Sequence, residues 1–197
     1  MTLHLPFLDS RHERGSTLLE VLVAIVILSF GLLGVVGLQA KMQVGEIESY
    51  QRAQAVLLLQ DMVNRINANR PNAASYVAAS TVFGTGDTTW TTCPAAPPLA
   101  ARDQCEWSFA LKGTAEARST TNLGAMVGAR GCIEQIQAAN GAAGVCTPGI
   151  YRVTVAWQGM QGTGTSSLAC ASGSYGSDDT VRRAIAARIV VGMPECS

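Results

Sequence analysis

Histidine is almost missing from this chain. Its two copies, His4 and His12, both fall within the first 15 residues, so Ser–His or Cys–His catalysis has no base in the remainder. Lysine is nearly as scarce: Lys41 and Lys112 stand alone, and arginine carries the rest of the positive charge. Charged residues make up 14% of the 197, against about a quarter in an ordinary domain. The formal net charge is zero, so the basic footprint of a nucleic-acid binder is lacking and no nucleic-acid partner is indicated. No two cysteines have C-x2-C spacing and no histidine accompanies them, which leaves no expected metal site and no expected cofactor. Gly159-Met160-Gln161-Gly162-Thr163-Gly164 lacks the Gly-Lys-Ser/Thr ending and the following helix of a phosphate loop, and reads as a surface turn. Asp178 and Asp179 are adjacent acids in a polar stretch, read as turn residues with a weak calcium site as the minor alternative. These absences together argue against an enzyme.

Against that polar poverty stands one long hydrophobic run. From Leu18 to Leu38 there are 21 residues, and Glu20 is the only charged one. As a helix rising about 1.5 Å per residue, the run matches the roughly 30 Å of a bilayer's hydrocarbon core. A carboxylate inside such a helix costs on the order of 3 kcal/mol, less near the interface. An anchor alone would be better served by leucine, so Glu20 asks for a partner.

The residues before the run do not form an ordinary secretory signal. Such a signal has an apolar core of roughly 7–15 residues with its cleavage site behind it. Here the run is longer, and Gly15 and Ser16 lie in front of it. The order Gly15, Ser16, then an acid at Glu20, resembles the processing site of type IV prepilins and type II secretion pseudopilins. That resemblance implies cleavage after Gly15 by a membrane prepilin peptidase, methylation of the new amino group at Ser16, and a processing and assembly role for Glu20. Ser16 stands where the family usually has Phe or Met, and Arg11 and Arg14 are offset by Asp9 and Glu13, which weakens the positive-inside signal. An uncleaved signal and a plain anchor are the structural alternatives. Cleavage would create a cation at Ser16, and the Glu20 carboxylate of one subunit can pair with the amine of its neighbour. A pair within one chain is equally open, because Ser16 and Glu20 are four residues apart.

Gly31, Gly34 and Gly37 follow near the outer end of the run, as a site of bending or a small-residue face for close helix packing. Beyond Lys41 the pattern becomes amphipathic. Val44, Ile47, Leu58, Met62 and Ile66 fit one face of a helix, with Glu46, Glu48, Arg52, Asp61 and Arg65 as solvated positions. Pro71 ends the helix near Asn69. The run Leu57-Leu58-Leu59-Gln60-Asp61-Met62-Val63-Asn64-Arg65-Ile66-Asn67-Ala68-Asn69 is similar to the minor pilins of the PilV type, the type IV pilus modification proteins. The resemblance therefore divides the chain into a leader, 1–15; a transmembrane and assembly helix, 16–38; an amphipathic continuation, 39–70; and a periplasmic head, 71–197.

The head carries the strand signals. Tyr151, Val153, Val155 and Trp157 alternate with Arg152, Thr154 and Ala156 in Gly149–Trp157, so one face of that strand is expected in the core. Its sequence also looks like a strand of the PilV head. Val181–Val191 reads as a second strand, Arg130–Ile136 as a third, and Arg102–Gly113 holds a short helix with Trp107 and Leu111 four residues apart. Residues 84–98 and 158–180 read as loops. The expected fold is α+β and type IV pilin-like, with a long N-terminal helix packed on an antiparallel sheet. Cys93, Cys105, Cys132, Cys146, Cys170 and Cys196 all lie beyond the long helix, as disulfide candidates of an exported head. They admit fifteen different pairings; the sequential one, Cys93–Cys105, Cys132–Cys146 and Cys170–Cys196, is the expectation carried forward.

The resemblance implies a minor pilin that primes or modifies type IV pilus assembly and so supports twitching motility and adhesion. Implied partners are other minor pilins, the major pilin, prepilin peptidase and inner-membrane lipid. The implied location is the bacterial inner membrane, single-pass with a periplasmic head, followed by incorporation into the pilus. A type II secretion minor pseudopilin and a pilus-associated adhesin are the alternatives.

Overall fold

The computed structural model describes residues 17–77, 82–96, 98–113, 117–118, 121–122, 126–142 and 144–192. The chain forms two compact units, Met1–Val44 and Gly45–Ser197. Helix α1, Leu18–Ala68, runs through both. In the first unit, from Leu18 to Leu38, large apolar side chains are exposed on every side and Glu20 is the only charged residue. In the second it has one buried face, made by Gln51, Ala55, Leu59, Met62 and Ile66, a spacing of three and four residues that lines one side of a helix. The expected stripe is thus shifted: Ile47 is exposed, and burial begins at Gln51. The amide of Asn69 closes the helix by donating to the carbonyls of Arg65 and Ile66 at 3.1 and 3.2 Å. Pro71 then falls in a 3-10 helix, Arg70–Tyr76.

The second unit is built on a four-stranded antiparallel sheet. Its strands are β1, Phe83–Gly84; β4, Val127–Gln137; β5, Gly149–Gln158; and β6, Arg182–Val191, in the order β1-β4-β5-β6. Two short strands, β2 at Ala117–Arg118 and β3 at Thr121–Asn122, pair separately. β5 and β6 pair without a register shift from Gly149↔Val191 to Gln158↔Arg182. The expected α+β class and its three principal strands are present.

Helix α2, Leu99–Leu111, wedges Trp107 into the core. The indole Nε1–H donates to the Leu58 carbonyl of α1 at 2.8 Å, and the ring lies over β4 at Gly131. A Cβ on residue 131 would sit 2.2 Å from the Trp107 ring, so this close approach demands glycine. Phe83 packs against the same indole, ring centroids 5.6 Å apart. Ile133, Tyr151, Val153, Val155, Trp157 and Ile189 complete this core against the α1 stripe.

Thr154 and Ala156, on the other face of β5, are also buried. Alternation alone assigns them to solvent. They are covered by the segment between β5 and β6, where Cys170, Ala171 and Tyr175 form a second apolar cluster with Ala156. The expected surface loop is therefore irregular in backbone but partly packed on the sheet. Two devices hold it. One is a disulfide from Cys132 on β4 to Cys170. The other is Arg182, whose side chain is 3% exposed. Its guanidinium donates to the carbonyls of Ser166, Leu168 and Cys170 at 3.0, 2.6 and 3.2 Å, and to Asp179 Oδ2 at 3.1 Å. Asp179 Oδ2 also accepts from the Gly173 amide, which leads the causes that hold its carboxyl below the usual range. Asp179 is thus a paired, buried acid and not a solvated turn residue. Asp178 is exposed and accepts from the Thr180 amide at 3.2 Å.

Arg65, expected to be solvated, joins α1 to α2. It donates to Asp61 at 3.0 Å, Asp103 at 3.0 Å and Glu106 at 2.7 Å, and Arg102 donates to Glu106 at 2.8 Å. Tyr76 donates its hydroxyl to Asp103. Burial, and then this bond, push the phenol up to about 12. The Arg65 and Arg102 guanidiniums hold Glu106 below the usual carboxylate range.

Two outcomes follow for stability. Arg182→Met leaves the buried Cys170 carbonyl and the part-buried carbonyls of Ser166 and Leu168 without this donor, at about 1 kcal/mol for a buried group and less where water can replace it, so the melting temperature falls by several degrees. Thermal denaturation measures this, and an unchanged midpoint would refute the Arg182 account. Because the Glu106 carboxyl is depressed in the folded state, its contribution is complete above the ordinary value of 4.5. It is lost as pH falls through the lowered folded value. Urea unfolding of wild type and Glu106→Gln at neutral pH and near pH 3 should show a smaller acid loss in the variant.

Candidate functional site

The site is the first part of α1. Thr17 caps it: the Glu20 amide donates to Thr17 Oγ1 at 3.3 Å and to the Thr17 carbonyl at 3.0 Å. Thr17-Leu18-Leu19-Glu20 has the order of a capping box, a local signal carried by the sequence itself. Glu20 is the third helical residue, so its carboxylate lies in the first turn, where the helix dipole favours negative charge. One acid thus serves the helix start while standing in an apolar surface.

That surface is open along its length. Every large apolar side chain from Leu18 to Leu38 is between 45% and 85% exposed. The richest 18-residue window has a mean hydropathy of 2.9 and none of it is buried within the chain. The helix is long and apolar enough to cross a membrane. Ser29, the lone hydroxyl residue in the run, donates to the Ile25 carbonyl at 2.7 Å, so its polar group is satisfied inside the helix. Helical backbone continues through Gly31, Gly34 and Gly37. No atom lies within 4 Å of a Cβ built on any of them, so within the chain these glycines face open space.

Gly15 and Ser16, on which the cleavage reading rests, lie outside the described residues, as do His4, His12 and Cys196. The cysteines fall as follows. Cys93 is bonded to Cys105, fastening the segment before α2 to that helix. The expected Cys132–Cys146 pair does not form, and with it goes Cys170–Cys196, because Cys132 is bonded to Cys170. The physical reason is distance along the sheet. Cys132 lies opposite Thr154 in mid-sheet, whereas Cys146 follows the turn beyond Gln137, the last residue of β4. Five strand residues at about 3.4 Å each put these positions on the order of 17 Å apart, far beyond disulfide reach. Cys146 is disulfide-bonded as well. Among the described residues no group of three His, Cys, Asp or Glu side chains is placed to hold a metal ion.

Residues 10–36 match the family described as the prokaryotic N-terminal methylation motif. No curated protein and no solved structure matches the chain. The motif, the exposed apolar helix that begins with a single acid, and the antiparallel sheet of a disulfide-bonded head support a type IV pilin- or pseudopilin-like protein, a structural rather than a catalytic kind, with membrane anchoring and association with other pilins as its general expectation.

Proposed function

We propose that the chain is a minor pilin of the PilV type, cut between Gly15 and Ser16, methylated at Ser16, and built into a type IV pilus through α1. The observation that carries this reading is the lone carboxylate in the first turn of an otherwise apolar, exposed helix. Such a helix gains by packing against others of its kind in lipid or in a fibre. In that setting the carboxylate can meet a cation from a neighbouring helix, and the amine released at Ser16 is the one that cleavage supplies. Removing one member of a desolvated ion pair costs more than the pair contributes, so the pair acts as a register mark between subunits. In this reading residues 1–15 are the leader, 16–38 the span and assembly helix, 39–70 its amphipathic continuation, and 71–197 the head. The head is periplasmic, the span is single-pass in the inner membrane, and the subunit primes or modifies fibres used for motility and adhesion. Six cysteines and a head of this size favour the pilus over type II secretion.

Two substitutions test the reading. Gly15→Val should leave the leader attached, seen as an unshortened chain by mass spectrometry. A chain that is still trimmed at Ser16 sinks the cleavage assignment. Glu20→Val should be inserted in the membrane at wild-type level yet be lost from sheared pili by about tenfold or more, the scale of one desolvated charge left unpaired. Full incorporation would show that Glu20 is not an assembly residue.

A further inference from the structure

Outside α1's apolar run, the second unit holds a notch that none of the preceding chemistry uses. It is a cavity of about 330 Å³ lined by Gly45, Glu48, Ser49 and Arg52 of α1, Trp157 of β5 and Arg183 of β6. Gly45 keeps one side open, since no atom lies within 4 Å of a Cβ built there. Trp157 is 3% exposed and forms an apolar wall. Arg183 is fixed: its guanidinium donates to Thr163 Oγ1 at 2.7 Å, the Gln161 carbonyl at 2.8 Å, the Thr180 carbonyl at 3.3 Å and Glu48 Oε1 at 3.1 Å.

The charge left over is on Arg52. Glu48 and Arg52 stand four residues apart, the favourable order for an ion pair along a helix. Glu48 is instead drawn to Arg183 and to the Met160 amide, at 3.1 Å each. Arg52 therefore makes no ion pair among the described residues. The lining holds two arginines and one glutamate, a formal balance of one positive charge. That balance suits one carboxylate, which a guanidinium fork takes with two parallel hydrogen bonds. The methylenes of an acidic side chain would lie against Trp157.

The geometry points to a carboxylate-binding notch that receives an acidic side chain from the head of a neighbouring pilin-like subunit, with Arg52 as the residue that grips it. The occupant rests on the reading given under Proposed function; the notch and its anion do not. A subunit set beside others in a fibre meets protruding side chains, and a surplus of one positive charge at this opening favours an acidic one.

The test uses the full chain in detergent micelles, with sodium acetate and inorganic phosphate as probes at constant ionic strength. Acetate should shift the Trp157 indole N–H resonance saturably, and Arg52→Gln should weaken that binding about tenfold or more. In cells, Arg52→Glu should lower co-isolation with other pilins by a similar factor while the leader is still removed at Gly15, and Arg52→Lys should keep part of the contact. An unsaturable acetate response, or equal binding by Arg52→Gln, overturns the notch. Full co-isolation of Arg52→Glu overturns the subunit as occupant. Tighter binding of phosphate, with Arg52-dependent binding to phosphatidylglycerol vesicles, reassigns the anion to a lipid headgroup and overturns it too. A wild-type chain that keeps its leader refutes the pilin-like reading, and with it the proposed occupant, while the acetate result still judges the notch.

Discussion

The second unit depends on one close approach, the indole of Trp107 over the bare backbone of Gly131. With no Cβ in the way, α2 comes down onto β4, and its Trp107 N–H reaches up to a helical carbonyl of α1. Ridges on two helices and a pleated strand cannot all interdigitate at ordinary spacing. A single residue without a side chain lets the largest side chain in the core bridge all three. The apolar stripe of α1, the short β1 and the long β4 and β5 then share one packed interior, in which added volume has nowhere to go.

Scarcity of charge gives the remaining charges definite jobs. Arg65, Arg152, Arg182 and Arg183 each hold a carboxylate from another turn, helix or strand. Exposed pairs of this kind contribute little on their own. Arg182 is different because it is buried and multiply bonded, and it organises a segment that has neither helix nor strand. In effect its guanidinium does for the carbonyls of residues 166–170 what a bound cation does in other irregular loops.

What the residues announce and what they conceal divide along physical lines. Periodicity revealed α1, α2 and the three long strands, because amphipathic spacing reports the face that meets the core. It could not report that the other face of β5 is also covered, since Thr154 and Ala156 look the same under solvent or under a loop. Arg182 hid as one residue of an expected strand, since its acceptors lie in an irregular segment, and Arg65 as a solvated charge, since two of its acceptors lie 38 and 41 residues away. The acid at Glu20 was legible from its surroundings alone. The threonine that caps its helix carried a signal just as local, in the three-residue spacing from Thr17.

The connection from Cys132 to Cys170 also sets a kinetic problem. Cys146 lies 14 residues from Cys132 (146 − 132), whereas Cys170 lies 38 away. Loop closure in the unfolded chain favours the nearer partner by about 0.9 kcal/mol. In the unfolded chain, closure entropy thus favours the Cys132–Cys146 pairing severalfold over Cys132–Cys170. What favours Cys170 is the fold itself, in which the segment held by Arg182 brings it over Cys132 in mid-sheet. A chain in which Cys132 has first bonded Cys146 must exchange that disulfide before the native link can form.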